Sequence, residues 1–268
     1  VYKRQEYIKC ICTNIYFYDA LFMKNVRHTM RPHPDVTSAL MNELKDSHLW
    51  RGRAIFIGFA ALSGLTVVVF TWLAEHALGL FFNLHQHAAW APLVWTPIMT
   101  AAIVWATRRF CAGAAGSGIP QVMAAQHDSV QPQNRHLFVS FKLSMAKIAL
   151  TTGGLLAGLS LGREGPSVQI AAGVMHSARR WMPKRSQISD HSLLTAGGAA
   201  GIAAAFNTPL GGIMFAIEEL SRRPEQRNHS LTVAAIVLAG LMGVSAYGNK
   251  SHFGVIHVEG FGLSLIHI

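Results

Sequence analysis

Four long stretches of this chain contain no charged side chain, which limits the folds that it can adopt. Each contains between 20 and 26 residues and no Asp, Glu, Lys or Arg: residues 54–74, 88–107, 192–217 and 230–249. An α-helix rises about 1.5 Å per residue, so about 20 residues are needed to cross the hydrocarbon core of a bilayer. Buried helices of a soluble protein are the alternative, but four such lengths in one chain favour an all-α, multi-pass protein embedded in a lipid bilayer.

The composition agrees with a membrane protein and argues against other classes. Only 13% of the 268 residues are charged, about half of the roughly 25% typical of soluble domains. The net charge of +10 would suit a nucleic-acid binder, but the basic residues are dispersed among apolar segments, so no nucleic-acid partner is expected. Three Cys cannot build a disulfide framework, and an apolar content of 51% excludes a disordered chain.

The distribution of basic residues predicts an orientation. Lys and Arg precede the first stretch and follow the later ones, whereas residues 75–87 contain neither. The positive-inside rule therefore predicts a cytoplasmic N-terminus in an inner or plasma membrane. We interpret residues 1–50 as a cytoplasmic segment, 51–250 as the membrane domain and 251–268 as a truncated end. Residues 1–26 show no usable periodicity, and we expect them to be foreign to the native protein.

The later apolar segments are short and interrupted. Residues 143–162 contain Lys147, residues 166–178 form a short segment, and residues 192–217 contain Pro209 among several glycines. Segments of this kind are typical of the discontinuous helices that form transporter binding sites. Irregular backbone at membrane depth is tolerated only where it is buried in protein or lines a wet cavity. This part of the chain is therefore predicted to form the functional site.

Three segments place small residues just before a proline that opens an apolar run. They are Gly116-Ser117-Gly118-Ile119-Pro120, Gly162-Arg163-Glu164-Gly165-Pro166 and the AFNTPLGG of residues 205–212. Proline suits the first helical turn, and glycine lets the backbone bend and a ligand approach. Such a helix N-terminus has free N–H groups and the positive end of the macrodipole, so it can bind an anion without a full positive charge. Two termini directed at one place, with the Ser117 hydroxyl as a further donor, would bind an anion weakly enough to release it.

Carboxylates in the same region are candidates for proton transfer. Glu164 lies in an apolar segment, where a carboxylate is costly unless it is paired or protonated. Burial favours its neutral form, so Glu164 is predicted to carry protons and, when ionised, to fill the anion site as a gate. A static ion pair between Arg163 and Glu164 is a minor alternative. Glu218 and Glu219 follow the 192–217 stretch, and we interpret Glu218 as part of a solvated helix end.

The three segments, in this order and spacing, resemble those of the chloride channel/transporter (CLC) family of voltage-gated chloride channels. The similarity covers roughly residues 53–247, in which GSGIP resembles the first filter segment, GREGP the second, and residues 204–220 the segment that follows. The resemblance implies one half of an inverted-repeat fold with broken and re-entrant helices, in a homodimer with one anion pathway per subunit. It implies chloride and protons as the transported ligands, and no cofactor is expected.

The resemblance also implies roles for individual residues. Ser117 matches the filter serine that contacts the central anion, and serine here favours chloride, because proline at this position is associated with nitrate preference. Glu164 matches the gating glutamate, which alternately blocks the anion site and carries a proton. Glu219 matches the internal proton-transfer glutamate typical of exchangers. Chloride/proton antiport is therefore expected, and a passive CLC-type chloride channel is the alternative.

The chain departs from the family pattern in three respects. These residues contain neither the third filter segment, of the form GxFxP, nor the later tyrosine of the central anion site, so a membrane fragment without transport of its own is a further alternative. Gln121 and Met123 stand where some members carry an acidic residue. Lys147 is left without an evident partner, and it either faces the cytoplasmic vestibule or pairs with Glu219.

An intramembrane serine protease is a remote alternative, and no enzymatic activity is expected. Ser117 would need a neighbouring histidine as a base. Most histidines of this region are expected in loops: His76, His85, His87, His127 and His136. Neither a phosphate-loop lysine nor metal-ligand spacing occurs in the sequence.

Overall fold

A computed structural model describes residues 47–127, 129–183, 186, 188–220 and 229–248. Within these ranges the chain is all-α, as predicted, with eight α-helices: α1 Ser47–His87, α2 Ala91–Phe110, α3 Ile119–Gln126, α4 Phe141–Leu156, α5 Glu164–Ser177, α6 Asp190–Phe206, α7 Pro209–Phe215 and α8 His229–Tyr247. The segments Ala112–Ala114, Pro132–Leu137 and Ala178–Arg180 are 3₁₀ helices, and Ala216–Leu220 is a π-helical turn. The predictions for residues 1–46 and 249–268 lie outside the described residues.

Helix α1 is longer than the sequence pattern indicated. It continues without a break to His87, so the prediction that His76, His85 and His87 lie in a loop is wrong. The physical reason is that this part of the chain contains no proline and packs as a helix, with Ala74 and Ala77 against Leu155 of α4. His127 follows α3, and His136 lies in a 3₁₀ helix.

Two helices among the described residues are long and apolar enough to cross a membrane by themselves, Leu49–His87 and Ser230–Tyr247. The sequence indicated simple spans at residues 54–74 and 88–107; the first lies in one of these two helices, whereas the second forms most of α2, which is not one of them. The 192–217 stretch is divided between α6 and α7, because Asn207 adopts a left-handed conformation with φ 55° and Pro209 opens the next helix. Broken helices are thus confirmed in the part of the chain where glycine and proline predicted them.

Helix α5 lies at the centre of the packed region. Every residue from Gly165 to Met175 is buried, and its principal neighbour is α6. Glycines allow this close approach: a Cβ added at Gly197 of α6 would lie 2.8 Å from Ala172 Cα, and one at Gly201 would lie 2.5 Å from Ser167 O. Small residues at helix interfaces let backbones pack tightly without a large apolar side chain between them. This packing fixes α5, and therefore fixes the position of its N-terminus.

Candidate functional site

The N-termini of α3 and α5 meet beside a cavity of about 760 Å³. The loop before α3 contributes Ala114 through Ser117 to the wall, and the loop before α5 contributes Leu159 through Gly162. The end of α2 and one face of α4 complete the lining with Ile103, Val104, Thr107, Arg108, Lys147, Leu150 and Thr151. The first two predicted segments therefore lie together, whereas no residue of the third segment, 205–212, lines this cavity.

The loop before α3 bends sharply at its glycines. Gly116 has φ 83° and Gly118 has φ 120°, conformations that residues with a Cβ rarely adopt. Gln121 then closes the first turn of α3: its Oε1 accepts a hydrogen bond from the Gly118 N–H at 2.9 Å, and its Nε2 donates to Ala115 O. The Gly118 N–H is thus used within the loop and is not directed at a ligand, contrary to the expectation of an open terminus at that residue.

Ser117 is exposed and lies beside the first turn of α5. A Cβ added at Gly165 would lie 2.6 Å from Ser117 O and 3.0 Å from Ser117 Oγ. Ile119 and Pro120 form the first turn of α3, and Gly165 and Pro166 belong to that of α5. One hydroxyl and two helix N-termini are consequently gathered at one place, which is an arrangement of hydrogen-bond donors that suits an anion.

Glu164 is the first residue of α5, and its half-buried side chain lines the same cavity. The carboxylate lies over the preceding loop, since a Cβ added at Gly162 would lie 2.7 Å from Glu164 Oε2. A negative charge at a helix N-terminus interacts favourably with the macrodipole. The carboxylate and an anion in the cavity would therefore compete for the same positive end of the helix.

Arg163 forms an ion pair with a residue that is distant in sequence. Its Nη1 lies 3.1 Å from Oε1 of Glu75 on α1, and Arg163 is the more buried of the two side chains. The minor alternative, a static Arg163–Glu164 pair, is not among the described ion pairs. Sequence reasoning missed Glu75, although it is the carboxylate that ends the first charge-free stretch.

Lys147 lines the cavity, and the expected alternative of an ion pair with Glu219 does not occur among the described ion pairs. Its side chain is almost fully buried on α4, and its Nζ donates to Ala114 O at 2.8 Å and to Gly116 O at 2.5 Å. Among the described ion pairs, none includes Lys147 or Glu219. The partners of Lys147 are thus main-chain carbonyls of the loop that carries Ser117, and both carbonyls belong to residues of the cavity wall.

Glu219 lies away from the cavity, in the π-helical turn that follows α7. Glu219 is half-buried, whereas Glu218 is exposed, as expected for a solvated helix end. A π-helical turn is rare and frequently marks a functional position. The two glutamates therefore differ in environment although they are adjacent in sequence.

The serine-protease alternative receives no support from the cavity. The lining of the cavity, as far as the described residues form it, contains Ser117 but no histidine. Among the described lining residues, Ser117 thus lacks the histidine base that the serine-protease alternative requires.

Broken helices whose N-termini meet at a cavity are typical of the binding sites of membrane transporters. The profile of the family described as voltage gated chloride channel matches residues 98–267. The chain belongs to this family, and the resemblance seen in the sequence is confirmed. The proteins of this family that it matches are integral membrane proteins.

The chain is similar to several bacterial proteins named H(+)/Cl(−) exchange transporter ClcA. It is 35% identical to that of Citrobacter koseri over 193 residues, which is 68% of this chain and 38% of the relative. It is 40% identical to that of Vibrio parahaemolyticus over 136 residues, which is 50% of this chain and 27% of the relative. The chain thus matches less than half the length of these relatives.

A solved structure has the same fold. The X-ray crystal structure of a slow cyanobacterial Cl⁻/H⁺ antiporter matches with a TM-score of 0.64 and 24% identity, covering 80% of this chain and 51% of the other. At this identity the likeness concerns the fold. The prediction of a CLC-type architecture is therefore confirmed.

Proposed function

We propose that the protein carrying this chain exchanges chloride for protons across a membrane. The observation that carries the proposal is that the Ser117 hydroxyl and the Glu164 carboxylate line one cavity at the N-termini of α3 and α5. The relatives named as H(+)/Cl(−) exchange transporters support the same assignment.

Chloride would bind in the cavity through helix N-termini and the Ser117 hydroxyl. These groups carry partial charges, so they stabilise an anion without holding it as tightly as a direct contact with an ammonium or guanidinium group would. The filter in this proposal comprises Gly116, Ser117, Gly118, Ile119 and Pro120 with Gly162, Arg163, Glu164, Gly165 and Pro166.

Glu164 would act as both gate and proton carrier. In its ionised form the carboxylate occupies the positive end of α5 and excludes chloride from it, and in its protonated form it no longer competes. Glu219 would pass protons between Glu164 and the opposite side of the membrane. Each turnover then couples the loss or gain of a proton on Glu164 to entry or exit of an anion.

The proposal extends to the organisation of the complete protein in the membrane. Residues 51–250 would form the first half of an inverted-repeat membrane domain, in keeping with the partial coverage of the relatives. The complete protein would be a homodimer in an inner or plasma membrane, with the N-terminus in the cytoplasm, as the positive-inside rule predicts.

A paired flux assay tests the proposal. The full-length protein is reconstituted in liposomes under a chloride gradient, and chloride efflux and proton uptake are recorded together. We expect protons to move against their own gradient, and Glu164→Gln to abolish proton movement while anion movement continues. Glu218→Gln, which alters an exposed carboxylate outside the cavity, is the control and should behave as the unmodified protein.

Other outcomes of the assay have definite meanings. Chloride flux without protons would identify a passive channel, and Glu219 would then be a helix end without a role in transport. Flux of neither ion would contradict a transport function. Proton pumping that survives Glu164→Gln would remove Glu164 from the mechanism.

A further inference from the structure

Four consecutive main-chain carbonyls before Ser117 accept hydrogen bonds from side chains of three different helices. Gln169 of α5 donates from Nε2 to Gly113 O at 2.9 Å. Lys147 of α4 donates to Ala114 O and to Gly116 O, and Gln121 of α3 donates to Ala115 O. We call Lys147, Gln121 and Gln169 the carbonyl clamp.

Two of the three clamp residues are buried, whereas Gln121 is half-buried. Gln169 is fully buried, and only 3% of Lys147 is exposed. Hydrogen bonds that involve a charged donor are shorter and stronger than neutral ones. If one partner of a buried hydrogen bond is removed, the other partner is left unsatisfied. The free-energy cost of that unsatisfied group exceeds the net stabilisation that the hydrogen bond provides. The loop of residues 113–116 is therefore held in one conformation.

The ammonium group of Lys147 is buried without a carboxylate partner among the described ion pairs. A buried cation is ordinarily compensated by a paired negative charge. The nearby helix α3 carries Gln121 and Met123 in its first turns, and both are uncharged. Among the described residues, the carbonyl oxygens of Ala114 and Gly116 therefore compensate the charge of Lys147.

This arrangement has a direct consequence for an anion. Ala114, Gly116 and Lys147 all line the cavity that contains Ser117 and Glu164. Carbonyl oxygens carry partial negative charge and would repel an anion, but here two of them are bound to an ammonium group. Because the peptide unit is planar, fixing Gly116 O also fixes the direction of the Ser117 N–H.

We propose that Lys147 sets the anion affinity of the cavity as a positioning residue. It neutralises and orients the carbonyls of Ala114 and Gly116, and thereby presents Ser117 to the anion, while Gln121 and Gln169 hold the adjoining carbonyls. This inference rests on the proposed function, because it assumes that chloride occupies the cavity. It assigns to Lys147 an action through the loop and not a contact with the anion.

The test is chloride binding to purified full-length protein, measured by titration calorimetry. Lys147→Met removes the charge and the donor at similar length and should raise the chloride Kd at least about tenfold, the factor that corresponds to loss of one charge-assisted hydrogen bond. Lys147→Gln keeps a donor without the charge and should give an intermediate Kd. The matched control is Lys142→Met, which removes an exposed lysine of the same helix and should change the Kd less than twofold.

A measurement of the melting temperature distinguishes a positioning role of Lys147 from a purely stabilising one. If Lys147 only stabilised the fold, Lys147→Met would lower the melting temperature, yet the folded fraction would bind chloride with an unchanged Kd, and the proposal would be overturned. If Lys147→Met does not fold, Gln121→Leu releases both the Ala115 carbonyl and the Gly118 N–H without leaving a buried charge. A several-fold increase in Kd is then expected, and a Kd within twofold of the unmodified value overturns the proposal.

The same measurements distinguish this inference from the proposed function. An unmodified protein that neither binds nor transports chloride contradicts the proposed function itself. An unmodified protein that binds chloride, with an equal affinity in Lys147→Met, contradicts the role of Lys147 alone.

Discussion

Gly118 and Gly165 approach each other so closely that neither position has room for a side chain. A Cβ added at Gly118 would collide with Gly165 O, and one added at Gly165 would lie 2.6 Å from Ser117 O. The contact joins the loop before α3 to the first turn of α5. It is the point at which the two halves of the candidate filter are held in register.

Gly165→Ala should therefore damage the anion site. Alanine suits a helical position, so the effect would come from steric overlap with Ser117 and not from backbone strain. Overpacking of this kind costs about 1–3 kcal/mol, and we expect a lower melting temperature together with weaker chloride binding by calorimetry.

Gly79→Ala is the matched control for this substitution. Gly79 also lies in a helix, α1, but no atom lies within 4 Å of a Cβ added there. The helix propensity of alanine should leave stability unchanged or raise it by up to about 1 kcal/mol. Equal behaviour of the two variants would show that the contact at Gly165 does not constrain the site.

The ion pair between Glu75 and Arg163 yields a second prediction. It connects α1 to the residue just before Glu164, and the Glu75 side chain is 48% exposed. A pair with this exposure contributes about 0–1 kcal/mol, which corresponds to at most about a fivefold change in a rate. We expect Glu75→Gln to slow chloride and proton flux together within this limit, because the loop that carries Glu164 is less firmly held.

The ratio of protons to chloride identifies the origin of that effect. Glu75→Gln should leave the ratio unchanged, since it acts on the position of Glu164 and not on its carboxylate. Glu75→Asp keeps the charge and should recover part of the rate. A changed ratio in the liposome assay would instead mean that Glu75 itself takes part in proton transfer.

Substitution of Ser117 tests the selectivity of the cavity. Ser117→Pro removes the hydroxyl donor, and the resemblance to the CLC family implies a shift in preference from chloride towards nitrate. The relative efflux of the two anions from liposomes measures this shift. Ser160 lines the same cavity, so Ser160→Ala is the control and should preserve the preference for chloride. Unchanged selectivity in Ser117→Pro would argue against Ser117 as a filter residue.

The sequence predicted the parts of the fold that depend on local chemistry. Charge-free stretches indicated where helices lie, and glycine beside proline indicated where they break, as at Asn207 and Pro209. The extent of α1 was not predictable in this way, because residues 75–87 contain polar side chains that suit a loop or an exposed helical turn equally well. The tertiary packing of Ala77 against Leu155 decides between them.

The sequence predicted the motifs of the candidate site but not the contacts that support them. Ser117 and Glu164 stand out because glycine and proline surround them. Lys147 binds the carbonyl of Gly116, 31 residues away, and Arg163 pairs with Glu75, 88 residues away. Every residue carries a main-chain carbonyl, so an acceptor of this kind leaves no signal in the sequence. The partners of both cations could be identified only from the folded chain.

The last prediction concerns Glu219, which lies outside the cavity although the proposed function assigns it to proton transfer. Its half-buried position in a π-helical turn contrasts with the exposure of Glu218 beside it. Glu219→Leu should remove proton movement while chloride flux continues, because the anion cavity does not include this residue. Glu218→Leu changes the charge by the same amount one residue away and should retain coupling. If both variants pump protons against a gradient in the paired flux assay, Glu219 has no part in the proton pathway, and that pathway must reach Glu164 through other residues.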